Sequence, residues 1–426
     1  MKRIKLSKQI LSISMMLLFL SMVTYVPPSV YAAEKASANA NQIVVFEDPV
    51  LEKNVRMSLN KLEGKLTALD LSKITKLSTG FRITSLKGLE YAINLTEVTI
   101  SCSNLKDMSP ISSLKKIKSL TMNYCEIQDL TPIADLTNLE YLSLEGNFIS
   151  DLTPLKNLSL LEMLILKNNN ISDLSPIHSL PSLKILFVDD NFIESLEGNW
   201  NQSNLYGLYL NGNLVKDLSP VTASDSLKSL SFAYTQVTDL SSIQAMSLEA
   251  IQFDHTDVSD LTVLENMSSL KYIYLYKNPL TEESRAFLER FKERPETEVY
   301  ESRYSGTLAI PKVFIDGKVH MFNTLHPVIY QDSTMLPLRE VFQLFGADIK
   351  WDGKARTVTA TNGDNKIVLT INSKTAQINN REVSLVAEPI IQQGRTLVPF
   401  RFVAEAFGYD VKWNDKNRWV MINTSK

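Results

Sequence analysis

The stretch LEYLSLEGNFISDLTPLKNLSL, residues 139–160, holds the reading of the fold. Its first half is L-x-x-L-x-L-x-x-N-x-I, with Leu139, Leu142, Leu144 and Ile149 apolar. Leu142-Ser143-Leu144 alternates as a short strand does when one face is buried. The position of Leu139 recurs at Leu95, Ile117, Leu161, Leu183, Leu205, Leu227, Leu248 and Leu270, in steps of 22 residues with a single step of 21. A unit that short cannot bury its own apolar side. Successive units must therefore stack into a solenoid with one continuous core. The stacked strands form a parallel sheet whose x positions face outward.

Asn147 follows the strand, where backbone groups leave the sheet. The same position holds Ser103, Cys125, Asn169, Asn191, Asn213, Thr235, Thr256 and Asn278. This column reads as a polar ladder inside the solenoid, pairing turn backbones that would otherwise cost about 1–3 kcal/mol each. The second half repeats D-[LM]-[ST]-P at residues 107–110, 129–132, 151–154, 173–176 and 217–220. Asp caps a short helical turn and Pro fits its first residues. A unit of this length leaves room only for a turn of 3-10 helix opposite the strand. Capping accounts for the Asp column without calcium. At Ser195-Leu196-Glu197-Gly198 the pattern fails and Trp200 follows, so a bulge on the convex side is expected there.

These motifs resemble the leucine-rich repeats of bacterial internalin-type proteins, and the likeness spans residues 42–294. It implies an α/β leucine-rich repeat solenoid with its sheet on the concave face and 3-10 turns on the convex face. Residues 42–94 read as a helical cap and a degenerate first repeat. In FEDPVLEKNVRMSLNKLEG, Asp48 is the cap, Pro49 opens the helix, and Leu51, Val55, Leu59 and Leu62 share a face. Residues 95–294 hold the repeats and end on a second amphipathic helix with Phe287, Leu288 and Phe291 inward.

Residues 1–32 read as a secretory signal, with Lys2, Arg3, Lys5 and Lys8 before an apolar run and small residues at a cleavage site before Ala33. The run is short for a retained anchor and carries several Ser and Thr. Its removal takes away four positive charges and moves the formal net charge from −3 to −7. No nucleic-acid partner is expected of such a chain, nor a membrane span once the signal is removed. The two cysteines, Cys102 and Cys125, lie in consecutive repeats. Aligned by the period, Cys102 matches the outward Tyr124 while Cys125 belongs to the inward ladder, so free thiols are expected.

Residues 295–311 are polar and interrupted and read as a linker, which predicts that the two domains fold independently. A second internal repeat then appears: TMLPLREVFQLFGADIKWD (334–352) and TLVPFRFVAEAFGYDVKWN (396–414), offset by 62. Each half reads as strand, Pro-initiated helix, Gly cap and a strand carrying Trp. Residues 312–424 thus form a pseudo-duplicated α+β domain. It resembles the small N-terminal (stalk) domain of copper amine oxidases, which is separate from the catalytic domain of those enzymes. No metal or other cofactor is expected: the chain has four histidines, His178, His255, His320 and His326, and no N-Y-[DE] motif. No phosphate loop, nucleophile elbow or H-E-x-x-H appears, and no enzyme activity is expected. Adjacent Asp189 and Asp190 are read as pointing apart, not as an acid/base pair.

The outward face of the sheet carries an aromatic and apolar stripe. It runs through Tyr124, Tyr141, Met163, Ile165, Ile185, Phe187, Tyr206, Tyr209, Tyr234, His255, Tyr272, Tyr274 and Tyr276. The first repeat shows Thr96, Glu97, Thr99 and Ser101 there instead. Tyr supplies contact area and a hydroxyl at low entropic cost, although strand propensity also favours aromatics. Two readings follow. One is an exported recognition or adhesion protein, non-catalytic, that binds an extracellular protein or glycan on the concave face. The other is a structural envelope component whose C-terminal domain associates with wall material while the repeats act as a spacer. No sorting motif follows the last strand, so covalent wall attachment is not expected, and non-covalent association is left open.

Overall fold

The computed structural model describes residues 40–424 apart from 81–82, 103, 106, 179, 199, 201–203 and 302–308. The secretory signal, the ladder position Ser103 and the middle of the linker lie outside the described residues.

Eleven three-residue strands stack in chain order into one parallel sheet. They are β1 (Lys76–Ser78), β2 (Glu97–Thr99), β3 (Ser119–Thr121), β4 (Tyr141–Ser143), β5 (Met163–Ile165), β6 (Ile185–Phe187), β7 (Gly207–Tyr209), β8 (Ser229–Ser231), β9 (Ala250–Gln252), β10 (Tyr272–Tyr274) and β11 (Glu298–Tyr300). The central residue of β1 to β10 is buried, so only two columns per strand face outward. Glu298–Tyr300, read from sequence as linker, instead closes the sheet beside β10. Short 3-10 turns lie opposite, among them Thr131–Ile133, Thr153–Leu155 and Ser175–Ile177. Each repeat Asp stands one residue ahead of the cap position. Asp129 accepts from the backbone N–H of Thr131 at 2.8 Å and from its hydroxyl at 2.7 Å. Asp239 and Asp260 do the same without a proline. Trp200 is buried, donates to Leu196 O at 2.7 Å and packs its ring on His178.

The ladder is present as fully buried Asn147, Asn169, Asn191 and Asn213. Asn147 Oδ1 accepts from Cys125 N and Ile127 N at 3.0 Å, and its Nδ2 donates to Met122 O and Leu144 O at 2.9 Å. One asparagine thus serves two repeats. At the ends of the solenoid, α1 (Pro49–Ser58) is capped by Asp48 and buries Leu51 and Val55. Leu62 falls beyond that helix and is 69% exposed, so it does not share the apolar face. A short α2 (Ala68–Leu71) follows it. The far cap is α3 (Glu282–Lys292), with Phe287, Leu288 and Phe291 buried.

After each strand one residue per repeat turns left-handed: Tyr124, Gly146, Asn168, Asp190, Gly212, Tyr234, His255 and Lys277, with φ between 55 and 69°. This column forms one flank of the solenoid. The period places Cys102 in it, but there the left-handed residue is Asn104, φ 55°. The turn slides by two residues, Cys102 forms a separate parallel bridge with Ile83 beyond the strand, and its side chain is buried. Cys102 and Cys125 are consequently joined in a disulfide, Cα–Cα 4.8 Å, and the expectation of free thiols is corrected.

The C-terminal domain follows the offset of 62. Strands Ser333–Pro337 and Arg395–Pro399 pair antiparallel across the pseudo-symmetry, each running into a helix, α4 (Leu338–Leu344) or α5 (Phe400–Ala406). Gly346 and Gly408 take φ of 63° and 84° after those helices. Phe342, Phe345, Phe400 and Phe407 form the centre of its core.

This domain is docked along the left-handed flank, so the linker does not hold the two domains apart. Arg395 reaches both carboxylate oxygens of Glu126, at 2.9 and 2.7 Å. Asn170 Nδ2 donates to Phe322 O at 3.1 Å, and Asp190 accepts from Ile310 N at 2.9 Å. Lys312, 4% exposed, donates to Gly212 O, and Lys416 pairs with Asp257. Burial pushes the Asp190 carboxyl up to about 6 and Lys312 down to about 8.

Candidate functional site on the concave face

Two outward columns run across the strands, and the third follows their ends. The first reads Tyr141, Met163, Ile185, Gly207, Ser229, Ala250 and Tyr272 from β4 to β10. The second reads Ser143, Ile165, Phe187, Tyr209, Ser231, Gln252 and Tyr274. Size is therefore uneven along the sheet. Phe187 and Tyr209 stack face to face at 4.3 Å, and Tyr274 stacks on Tyr300 of β11 at 4.5 Å. Between these two aromatic pairs, Ser229, Ser231 and Ala250 leave a groove of about 430 Å³.

The floor of the groove is polar and connected. Lys167 Nζ lies 3.3 Å from Asp189 Oδ2 and 4.5 Å from the centre of the Phe187 ring. Asn211 Nδ2 donates to Asp189 Oδ1 at 2.6 Å. Ser231 Oγ lies 2.7 Å from Asn211 Oδ1 and 2.9 Å from Gln252 Oε1. Gln252 Nε2 donates to Asp254 Oδ2 at 2.7 Å. Burial raises both the Asp189 and the Asp254 carboxyls above their ordinary range. Polar groups arranged in this way fix orientation, and the stacked rings supply area.

Only part of the sequence stripe lines the groove. Phe187, Tyr209 and Tyr274 line the groove. Tyr141, Met163, Ile165 and Ile185 extend the same columns toward the first repeats, with Tyr206 and Tyr272 exposed at the strand starts. Tyr234 also lines the groove, from a left-handed turn at its edge, where it is only 9% exposed, packed with Ala309 and stacked on His255. Tyr276 meets the edge of His255, and both help line a second cavity of about 620 Å³ between the flank and the C-terminal domain. Tyr124 lies on the flank as well, its hydroxyl donating to Glu145. Missed from sequence were Lys167, Asn211, Gln252 and Asp254, which follow no apolar period. Asp189 faces the groove while Asp190 faces the second domain, so the two do not act as a pair.

The residues of the second domain do not fit a copper site. His326 Nε2 lies 2.9 Å from the carbonyl oxygen of Asn147, so that nitrogen carries the proton and has no lone pair for a metal. Burial also pushes this ring down to about 4. His320 instead meets the edge of Phe322.

A family model described as copper amine oxidase N-terminal domain matches residues 314–422. One described as leucine-rich repeats (2 copies) matches residues 115–157 and 159–199. Among solved structures, an internalin from Listeria monocytogenes is 29% identical with a TM-score of 0.55, covering 60% of this chain and 76% of that one. The repeat region is internalin-like. Also similar are an internalin C2 from the same organism, 22% identical over 62% of this chain and 97% of that one, TM-score 0.34, and a leucine-rich repeat protein of Leptospira interrogans, 21% identical over 54% and 62%, TM-score 0.48. No curated protein matches the chain. The internalin-like region thus ends in a copper amine oxidase N-terminal-like domain. No helix among the described residues is long and apolar enough to cross a membrane.

Proposed function

We propose that this chain is an exported, non-catalytic recognition protein that holds a protein ligand in the concave groove of its internalin-like repeats. The groove between the Phe187–Tyr209 and Tyr274–Tyr300 stacks carries the reading. The fold has no need of rings at these positions, since Ser143 and Ser231 occupy the same column. Export rests on the character of residues 1–32. Mass spectrometry of protein recovered from the culture medium and envelope should find an N-terminus near Ala33.

Changing Phe187 and Tyr209 together to Ser should leave the fold intact and remove two contact surfaces. Buried interface anchors of this type are worth about 2 kcal/mol or more each. A ligand captured from candidate cell surfaces should bind the double variant at least about tenfold more weakly, a loss of about 1.4 kcal/mol. Unchanged affinity in a well-folded variant would move the site off the groove and favour the spacer reading.

A further inference from the structure

Asp189 and Asp254 occupy the same column of the groove, three repeats apart, and meet opposite circumstances. Asp189 is answered within the chain by Lys167, one repeat earlier, which also caps the Phe187 ring. One repeat before Asp254 that column holds Ala233, which offers no charge. Gln252 satisfies Asp254 Oδ2, but Oδ1 has no hydrogen-bond partner although the residue is only 4% exposed. Among the described residues no cation pairs with it. Burial without a counter-charge holds the carboxyl above its ordinary range. The fold does not require an acid here, because Asn123 and Asn211 fill the same column with neutral amides.

We infer that the groove takes its protein ligand through a lysine or arginine side chain, seated on Asp254 and against the ring of Tyr274. The inference rests on the concave-face reading above and specifies its chemistry. A buried carboxylate is strongly stabilised by a desolvated, hydrogen-bonding cation, and a cation over an aromatic face gains further attraction. The Lys167–Asp189 ion pair shows a lysine answering a carboxylate of this column within the same groove, there over the ring of Phe187. A sugar hydroxyl would donate to Oδ1 but leave the charge unanswered, and the amides of Asn211 and Gln252 are already bonded along the floor. A bare metal ion lacks a ligand set: among the described residues no three His, Cys, Asp or Glu side chains come together.

The test pans a random-peptide display library against the full chain and measures selected peptides on three variants. Enriched peptides should share a Lys or Arg. They should bind Asp254→Asn at least about tenfold more weakly, about 1.4 kcal/mol. Gln252→Lys, which puts an ammonium on a half-buried residue whose side chain already donates to Asp254, should weaken them as much while the protein melts normally. This second variant also decides the matter if Asp254→Asn misfolds. Peptides that lose affinity on Phe187→Ser/Tyr209→Ser but ignore both charge variants would overturn the inference and leave the concave-face reading standing. If no peptide depends on any of the three, both fail. Binding on a glycan array with none to peptides would overturn it in favour of a saccharide ligand.

Discussion

Asn191 answers groups on two repeats, accepting from Ile171 N at 3.0 Å and donating to Leu166 O at 2.8 Å and Val188 O at 3.1 Å. Asn191→Ala strands buried backbone groups that cost about 1–3 kcal/mol each, so urea denaturation should show a loss of roughly 3 kcal/mol or more. Asn191→Thr should recover part of it, since Thr235 keeps one such bond to Phe232 O. A loss under about 1 kcal/mol in the Ala variant would mean that water replaces the amide. The asparagines were legible in sequence because they recur at a fixed place in a fixed period. Asp254 was not, because its column also holds Lys167, Asn211, Ala233 and Tyr276, and nothing in composition marks the one that lacks a counter-charge. Phe187 and Tyr209 were legible as neighbours because parallel register carries position from strand to strand.

Between the first repeats the disulfide closes 23 residues of separation. In the chain-entropy account a closure of that size is worth about 3 kcal/mol. Reduction, or Cys102→Ala with Cys125→Ala, should destabilise the protein by about that amount. Alkylation followed by mass measurement checks the bond itself: the denatured, unreduced chain should take up no label, and the reduced chain should take it up at both cysteines. Labelling without reduction would restore the free-thiol reading. The error in that reading is instructive at this scale. A 22-residue period carries side-chain direction only while the turn stays in place, and here the left-handed residue moves from position 102 to Asn104. The caps were readable because α1 and α3 obey ordinary helix chemistry, an acid or hydroxyl at the start and one apolar face. β11 was not, because Glu298, Val299 and Tyr300 follow no further repeat that would reveal them.

Docking of the second domain depends on contacts a hundred or more residues apart in the chain, such as Lys312 with Gly212 and Arg395 with Glu126. Periodicity has nothing to say about such pairs, which is why the sequence suggested two independent units. Amine-acylating reagents should modify exposed lysines of the native protein and spare Lys312. Arg395→Glu, which sets two carboxylates against each other, should open the interface and bring Lys312 into reach; protection unchanged in that variant would count against the docked arrangement. The interface also titrates. His326 is held at about 4 against an ordinary 6.5, so the unfolded chain takes the proton first. Its contribution is full above pH 6.5 and is lost as pH falls toward 4. Near pH 5 the loss approaches about 2 kcal/mol. Asp190, raised to about 6, acts with the opposite sign, gaining as pH falls through 6 toward 3.8. His326→Gln keeps a donor but no titration, so the gap between wild type and variant stability should narrow or reverse between pH 7 and pH 5. A constant gap would show that the ring is not held neutral. The flank contacts run from Glu126 to Lys277, alongside the groove. Tension between a bound partner and the second domain would therefore cross the solenoid sideways, through packed side chains sheared together. It would bypass the stack axis, along which repeats peel one at a time, and at Glu126 it would meet the chain one residue from the staple at Cys125.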